Sequence, residues 1–197
     1  MAAWTLSARL ALAEAFAAAA GDLAQALFAA TSDPADAVRL LLPLTRWLAP
    51  PLAGAGGPLS VEAQTAQDAL ASNLRCAACA ALAQASALYQ PASYQDAQSL
   101  RATVCGALDA EATRCADAGR DTSYQALRDL RAAVALDLAV RGANLASLVE
   151  VETLVPMPSL AEAWTLYQDT SREPQLVASA DPPHPLFMPL SFPALAR

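Results

Sequence analysis

The sequence predicts a mainly α protein, an antiparallel helical bundle followed by a small α+β module and an extended tail. Three observations predict it. Apolar residues recur every three to four positions over long stretches between residues 4 and 142. Pro and Gly interrupt those stretches at a few discrete places. After Gly142 the pattern changes to alternating Val and Glu, then two short helical runs, then a tail whose last 17 residues hold five prolines.

Residues 4–30 read as a first helix, with Leu12, Phe16, Ala20, Leu23 and Leu27 at helical spacing. The run TSDP at 31–34 breaks it: Asp33 is suited to cap a new helix and Pro34 fits its first position. That second helix is expected to run to about Leu48, with a kink or early end near Pro43, and with Trp47 and Leu48 closing it. The segment APPLAGAGGPL, residues 49–59, is the clearest linker, and it divides an N-terminal hairpin (1–48) from a three-helix bundle (60–142).

In the bundle, Ser60 opens a long helix reaching about Tyr89, with Leu70, Leu74, Ala77, Ala81, Ala85 and Leu88 on one face. Ser93 and Asp96 make a capping box for the next helix, whose buried stripe is Tyr94, Ala97, Leu100, Val104, Leu108, Ala112 and Cys115. Gly119 is the natural C-terminal cap. Thr122 with Gln125 suggests another box, followed by Leu127, Leu130, Val134 and Leu138, and Gly142 stops the helix. Short loops between successive helices imply antiparallel packing.

Residues 143–197 form the last module. LVEVETLV at 148–155 reads as a strand, ended by Pro156 and Pro158. Ser159 and Glu162 suggest a box on a short helix that carries Leu160, Ala163, Trp164 and Tyr167, with Trp164 read as core of the module. A turn at Gln168-Asp169-Thr170 leads to a second short helix, about Ser171 to Ala180. Phe187 and Met188 are the candidates for a second strand. This order of strand, two helices and strand resembles a LysM-like module. Modules of that kind bind glycans or serve as docking pieces in injection machines. Gln168 stands where many such modules have Gly, and Ala180 where Asn often closes the second helix.

Composition narrows the function classes. Hydrophobic residues make up 55% and charged residues 16%, an apolar balance inflated by Ala, whose small side chains let helices approach closely or meet partner chains. The net charge is -7 and every basic residue is Arg. No basic stripe of the kind that grips nucleic-acid phosphates appears; even Arg128 and Arg131 flank Asp129. No uncharged apolar run reaches bilayer length, since Glu14 interrupts the segment 11–20, and no basic residue precedes Arg9 as a secretory signal would require. No membrane span is expected.

No catalytic, cofactor-binding or metal-ligating residues are expected. Cys76 and Cys79 form a C-x-x-C, but the run NLRCAACAALAQA reads as helix interior. Cys105 and Cys115 supply neither a second C-x-x-C nor a neighbouring His, so all four read as small buried apolar residues. His184, the single His, lies between Pro183 and Pro185 and is expected to fix the tail by a hydrogen bond.

Two stretches carry a family resemblance: TSYQALRDLRAAVALDLAVRGANLASLVEV (122–151) and LAEAWTLYQDTSREPQLVASADPPHPLFMP (160–189). Their features are Arg141-Gly142, the Val-rich strand, Tyr167, Asp169-Thr170-Ser171-Arg172 and His184-Pro185-Leu186-Phe187-Met188-Pro189. In that order they resemble the C-terminal region of the DNA circularisation protein of Mu-like bacteriophages, and SYQDAQSLRATVCGALDAEA (93–112) fits more loosely. Family members usually begin with a β-rich domain, for which this sequence has no counterpart.

The resemblance implies a structural component of a phage or prophage tail or baseplate, located in the virion and, during assembly, in the host bacterial cytoplasm. Its expected partners are other tail subunits (hub, tape measure and tube), and it is expected to be oligomeric in the particle. An alternative is a DNA-end-binding protein that holds the injected genome in a non-covalent circle, with the phage DNA ends contacted through a partner or another domain. A further alternative is a cell-wall glycan-binding module. Candidate interface residues are Trp4 and Trp47 in the N-terminal helices, and Tyr167, Arg172, His184 and Phe187 in the last module.

Overall fold

A computed structural model describes residues 6–50 and 58–196. Trp4 and most of the 49–59 linker lie outside the described residues. The fold is mainly helical with a small two-stranded antiparallel sheet near the C-terminus. In chain order the elements are α1 (Leu6–Ala29), α2 (Pro34–Leu44), α3 (Pro58–Leu88), α4 (Tyr94–Asp117), α5 (Asp121–Gly142), β1 (Leu148–Glu152), α6 (Ser159–Tyr167), a 3-10 turn (Thr170–Arg172), α7 (Glu173–Ala180) and β2 (Ser191–Leu195).

Two compact units result, one of residues 1–90 and 100–138, the other of residues 91–99 and 139–197. In the first, α1 and α2 both pack on α3, so the helices on either side of residues 49–59 share one unit. Its core is Leu41, Leu82, Val104, Leu108, Leu127, Val134 and Leu138, interleaved with Ala24, Ala37, Ala81, Ala85 and Ala112. The alternation of large and small side chains is what allows closely spaced helices to interdigitate.

Several local signals act as the sequence predicts. The Asp33 carboxylate accepts the Ala35 N–H and Pro34 sits at the first position of α2. The Ser93 hydroxyl accepts the Asp96 N–H at 3.1 Å, and the Asp96 carboxylate accepts the Ala92 N–H at 2.9 Å. Gly119 takes a left-handed conformation (φ 66°), which lets Arg120 N–H reach the Cys115 carbonyl at 2.8 Å and close α4.

Other signals do not. The predicted α1 stripe is inward only in part: Ala20 is buried and Leu27 packs against the core, but Leu12, Phe16 and Leu23 are exposed, while Ala24, outside that stripe, is buried. The fully buried positions of α1, which packs on α3, are taken by alanines. α2 takes the early end expected near Pro43, stopping at Leu44, with the Thr45 N–H donating to the Leu41 carbonyl and the Arg46 N–H to the Pro43 carbonyl, so Trp47 and Leu48 lie beyond the helix and do not close it. On α3, Leu88 is exposed, while the polar Ser72 and Arg75 are buried. Thr122 is already inside α5, which starts at Asp121.

In the second unit, β1 and β2 pair antiparallel with Val149 opposite Ala194 and Glu150 opposite Pro193. The second strand therefore comprises 191–195, and Phe187 and Met188 precede it. Pro193 costs the ladder nothing. Bonds from Thr153 N–H to the Leu190 carbonyl and from Ala196 N–H to the Ser147 carbonyl bracket the sheet, and alternate pairing puts Pro193 at a non-hydrogen-bonded position. The Gln95 side chain bonds both backbone groups of Leu148, its amide nitrogen at 3.2 Å and its oxygen at 2.7 Å, as an extra rung beside β1. A small core of Ala163, Leu176, Met188, Phe192 and Ala194 lies under α6, α7 and β2.

The orientation of α6 differs from expectation. Ser159 is the first helical residue, not the cap; it is buried and its hydroxyl donates to the Glu173 carboxylate at 2.6 Å. The buried side of α6 carries Ser159, Glu162 and Ala163, while Leu160 and Trp164 are exposed.

Candidate functional site

The C-terminal unit gathers four of the predicted interface residues into two pairs. The Tyr167 hydroxyl accepts the Leu195 N–H at 3.0 Å, and the Arg172 guanidinium carbon lies 3.9 Å from the centre of the Tyr167 ring. Both side chains thus tie α6 and the 3-10 turn to β2. The turn is itself braced by Asp169, whose carboxylate accepts from the Ser171 hydroxyl at 2.7 Å and the Ser171 N–H at 2.9 Å. Those bonds, the hydroxyl's first, hold the Asp169 pKa below its ordinary value.

His184 forms the second pair with Phe187. Its Nδ1 accepts the Leu186 N–H at 3.1 Å, its carbonyl accepts the Phe187 N–H at 3.0 Å, and the two rings lie 6.2 Å apart. The hydrogen bond expected of His184 is present, and it folds 184–187 into a turn. The turn is stitched to the start of α6: Ser159 N–H donates to the Pro185 carbonyl at 2.7 Å, and Met188 N–H to the Met157 carbonyl at 3.1 Å.

The same unit leaves several large apolar side chains exposed. Phe187 is 70% exposed, Leu186 56%, Leu154 99%, Leu160 55% and Trp164 54%. Leu160 and Trp164 are one turn apart on the outer side of α6. Trp164, expected in the core of this module, is exposed instead, because α6 carries large residues on two sides. Only the position of Phe192 and Ala194 opposite Ala163 shows which side is inward.

In the first unit Trp47 is 41% exposed, next to exposed Leu48 in the chain, and its carbonyl accepts from Arg75 Nη1 at 3.0 Å. The segment Ala11–Ala29 of α1 is long and apolar enough to cross a membrane by length and composition, and only 11% of it is buried. Glu14 and Asp22 lie within it. An apolar groove of about 350 Å³ runs between α3 and α5, lined by Ala80, Ala83, Ala87, Leu130 and Val134.

The bundle interior holds a polar cluster that periodicity did not reveal. Glu111 on α4 is fully buried, with one carboxylate oxygen 2.6 Å from Arg75 Nε and 3.1 Å from Arg114 Nη1. The other oxygen accepts from the Ser72 hydroxyl at 2.8 Å and lies 3.9 Å from both Cys76 Sγ and Cys115 Sγ. Cys76 and Cys79 are mid-helix as expected, and Cys79 is fully buried. Burial foremost, with the neighbouring sulfurs and Glu111 adding to it, pushes both thiols up to about 12. They are therefore not activated nucleophiles. The signal missed was Glu111 on the stripe of α4 between Leu108 and Cys115, opposite an Arg on α3.

Most arginines already have partners among the described residues. Arg131 bonds Asp109 at 2.7 Å, Arg39 pairs with Asp36, and Arg128 lies 5.8 Å from the Tyr124 ring centre. No protein-family model matches the chain, and no curated protein sequence matches it.

Proposed function

We propose that the chain is a helical structural subunit of a Mu-like phage or prophage tail or baseplate, resembling the C-terminal region of the DNA circularisation protein and acting by docking to other tail subunits. The observation that carries this reading is the exposure of large apolar side chains on the C-terminal unit, Leu154, Leu160, Trp164, Leu186 and Phe187. Exposed clusters of large apolar side chains on a small folded unit mark surfaces that meet other proteins. The exposed Leu12, Phe16 and Leu23 of α1 and the alanine-lined groove between α3 and α5 offer further apolar surfaces for assembly.

The C-terminal unit is read as a LysM-like docking module. Its support is the order β1, α6, α7, β2 with the two strands paired antiparallel. Gln168, where many such modules have Gly, takes a left-handed conformation at φ 57°. Docking is favoured over glycan binding because Tyr167 is engaged by Leu195 and Arg172. DNA-end binding is disfavoured by the net charge of -7 and by the acidic or aromatic partners of the arginines.

Mass spectrometry of purified tail particles, with cross-linking, tests the proposal. The expected result is the chain at fixed stoichiometry, cross-linked through residues 154–190 to another tail protein. Absence from particles, or a gel shift of linear DNA ends with a steep salt dependence, would contradict it.

A further inference from the structure

Cys76 and Cys115, on α3 and α4, meet the buried carboxylate of Glu111 so that three potential ligand atoms lie within 4.8 Å of one another. We propose that this cluster binds one thiophilic divalent metal ion of the zinc and cadmium class, through Cys76 Sγ, Cys115 Sγ and the Glu111 oxygen that faces them.

The distances suit such an ion. A tetrahedral centre with bonds of about 2.3 Å to sulfur and about 2.0 Å to oxygen separates its ligands by roughly 3.5 to 3.8 Å. Both sulfurs already lie 3.9 Å from the same Glu111 oxygen, so modest side-chain contraction completes the triangle. The two carboxylate oxygens are differentiated: Arg75 and Arg114 take one, leaving the other to neutral donors, the Ser72 hydroxyl and the two thiols. That arrangement is the outer shell a metal-bound carboxylate needs to hold its orientation.

Charge also balances. One M²⁺ enters, two thiol protons leave, and two sulfur–metal bonds form with no change in oxidation state. Glu111 keeps its two guanidinium partners, so the buried cluster carries the same net charge with two protons as with one ion. A thiophilic ion is favoured over calcium or magnesium because two of the three donors are sulfur.

Because the cluster is buried, the full-length reduced chain should be refolded from denaturant with cadmium chloride, freed of excess metal, and assayed for bound cadmium and for thiolate-to-metal charge-transfer absorption. One ion per chain is expected, with native helical circular dichroism and a raised urea midpoint. Retained cadmium should fall by about tenfold or more in Cys76→Ala and in Cys115→Ala, and stay unchanged in Cys105→Ala. If either cluster variant fails to fold, alkylation mapping of the wild-type chain takes its place: cadmium should protect Cys76 and Cys115 and leave Cys105 reactivity unchanged. No retained ion, equal retention in Cys115→Ala, protection at Cys105 alone, or uptake only with loss of helix overturns the proposal.

Discussion

The Arg172 guanidinium packs on the Tyr167 ring at 3.9 Å while the Tyr167 hydroxyl accepts the Leu195 N–H, so one aromatic side chain joins α6, the 3-10 turn and β2. Removing the hydroxyl in Tyr167→Phe leaves a partly buried N–H without its acceptor and is expected to cost about 1 kcal/mol. Arg172→Ala removes the cation from the ring face and is expected to cost about 0.5–1 kcal/mol. Urea unfolding of both variants checks this. A Tyr167→Phe protein as stable as wild type would show that the hydroxyl is not structural.

Glu111 commits a full charge to the interior of the bundle. It is fully buried and paired to Arg75 and Arg114. Glu111→Gln leaves Arg75 buried without its counter-charge and is expected to destabilise by roughly 3–5 kcal/mol. Arg39→Ala breaks only an exposed pair with Asp36 and is expected to change stability by less than about 1 kcal/mol. Chemical denaturation of the two side by side measures the contrast.

Gly142 is required by close approach. A Cβ at that position would lie 2.9 Å from the Cβ of Ala97, where α5 passes α4. Gly142→Ala is expected to cost about 1–3 kcal/mol through overpacking, and adding Ala97→Gly should recover part of the loss. Additive penalties in the double variant, measured by thermal unfolding, would place the cost elsewhere than in this contact.

Glu162 gives the C-terminal unit a signed pH response. Burial raises its pKa above the ordinary 4.5, and one carboxyl oxygen lacks a hydrogen-bond partner. The folded state therefore keeps the proton to higher pH than the unfolded chain does. Its contribution is fully present below 4.5 and lost as pH rises through the folded pKa. Glu162→Gln should thus gain stability relative to wild type as pH increases from acid toward neutral. Parallel melting curves across that range check the sign; a gap that narrows would refute it.

Sequence pattern revealed the elements better than their faces. The caps at Asp33 and Ser93, the Gly119 stop and the stripe from Ala97 to Cys115 were all legible, because each depends on local chemistry or on one unbroken periodicity. The α1 stripe was legible at Ala20 and Leu27 but misled at Leu12, Phe16 and Leu23, which helical spacing puts inward and the structure leaves exposed. The tail misled too: prolines at 185 and 189 did not exclude a strand two residues later, where Pro193 falls at a silent position. The meeting of Cys76 with Cys115 was illegible, since Cys79, not Cys115, is the neighbour in sequence.

The most direct test of the docking account is incorporation of a Trp164→Glu, Phe187→Glu double variant into tail particles. Both side chains are more than half exposed, so the variant should fold with wild-type helical content. The account predicts that this folded protein is left out of purified particles or falls to a small fraction of wild-type occupancy by quantitative mass spectrometry. Incorporation at wild-type stoichiometry would contradict it.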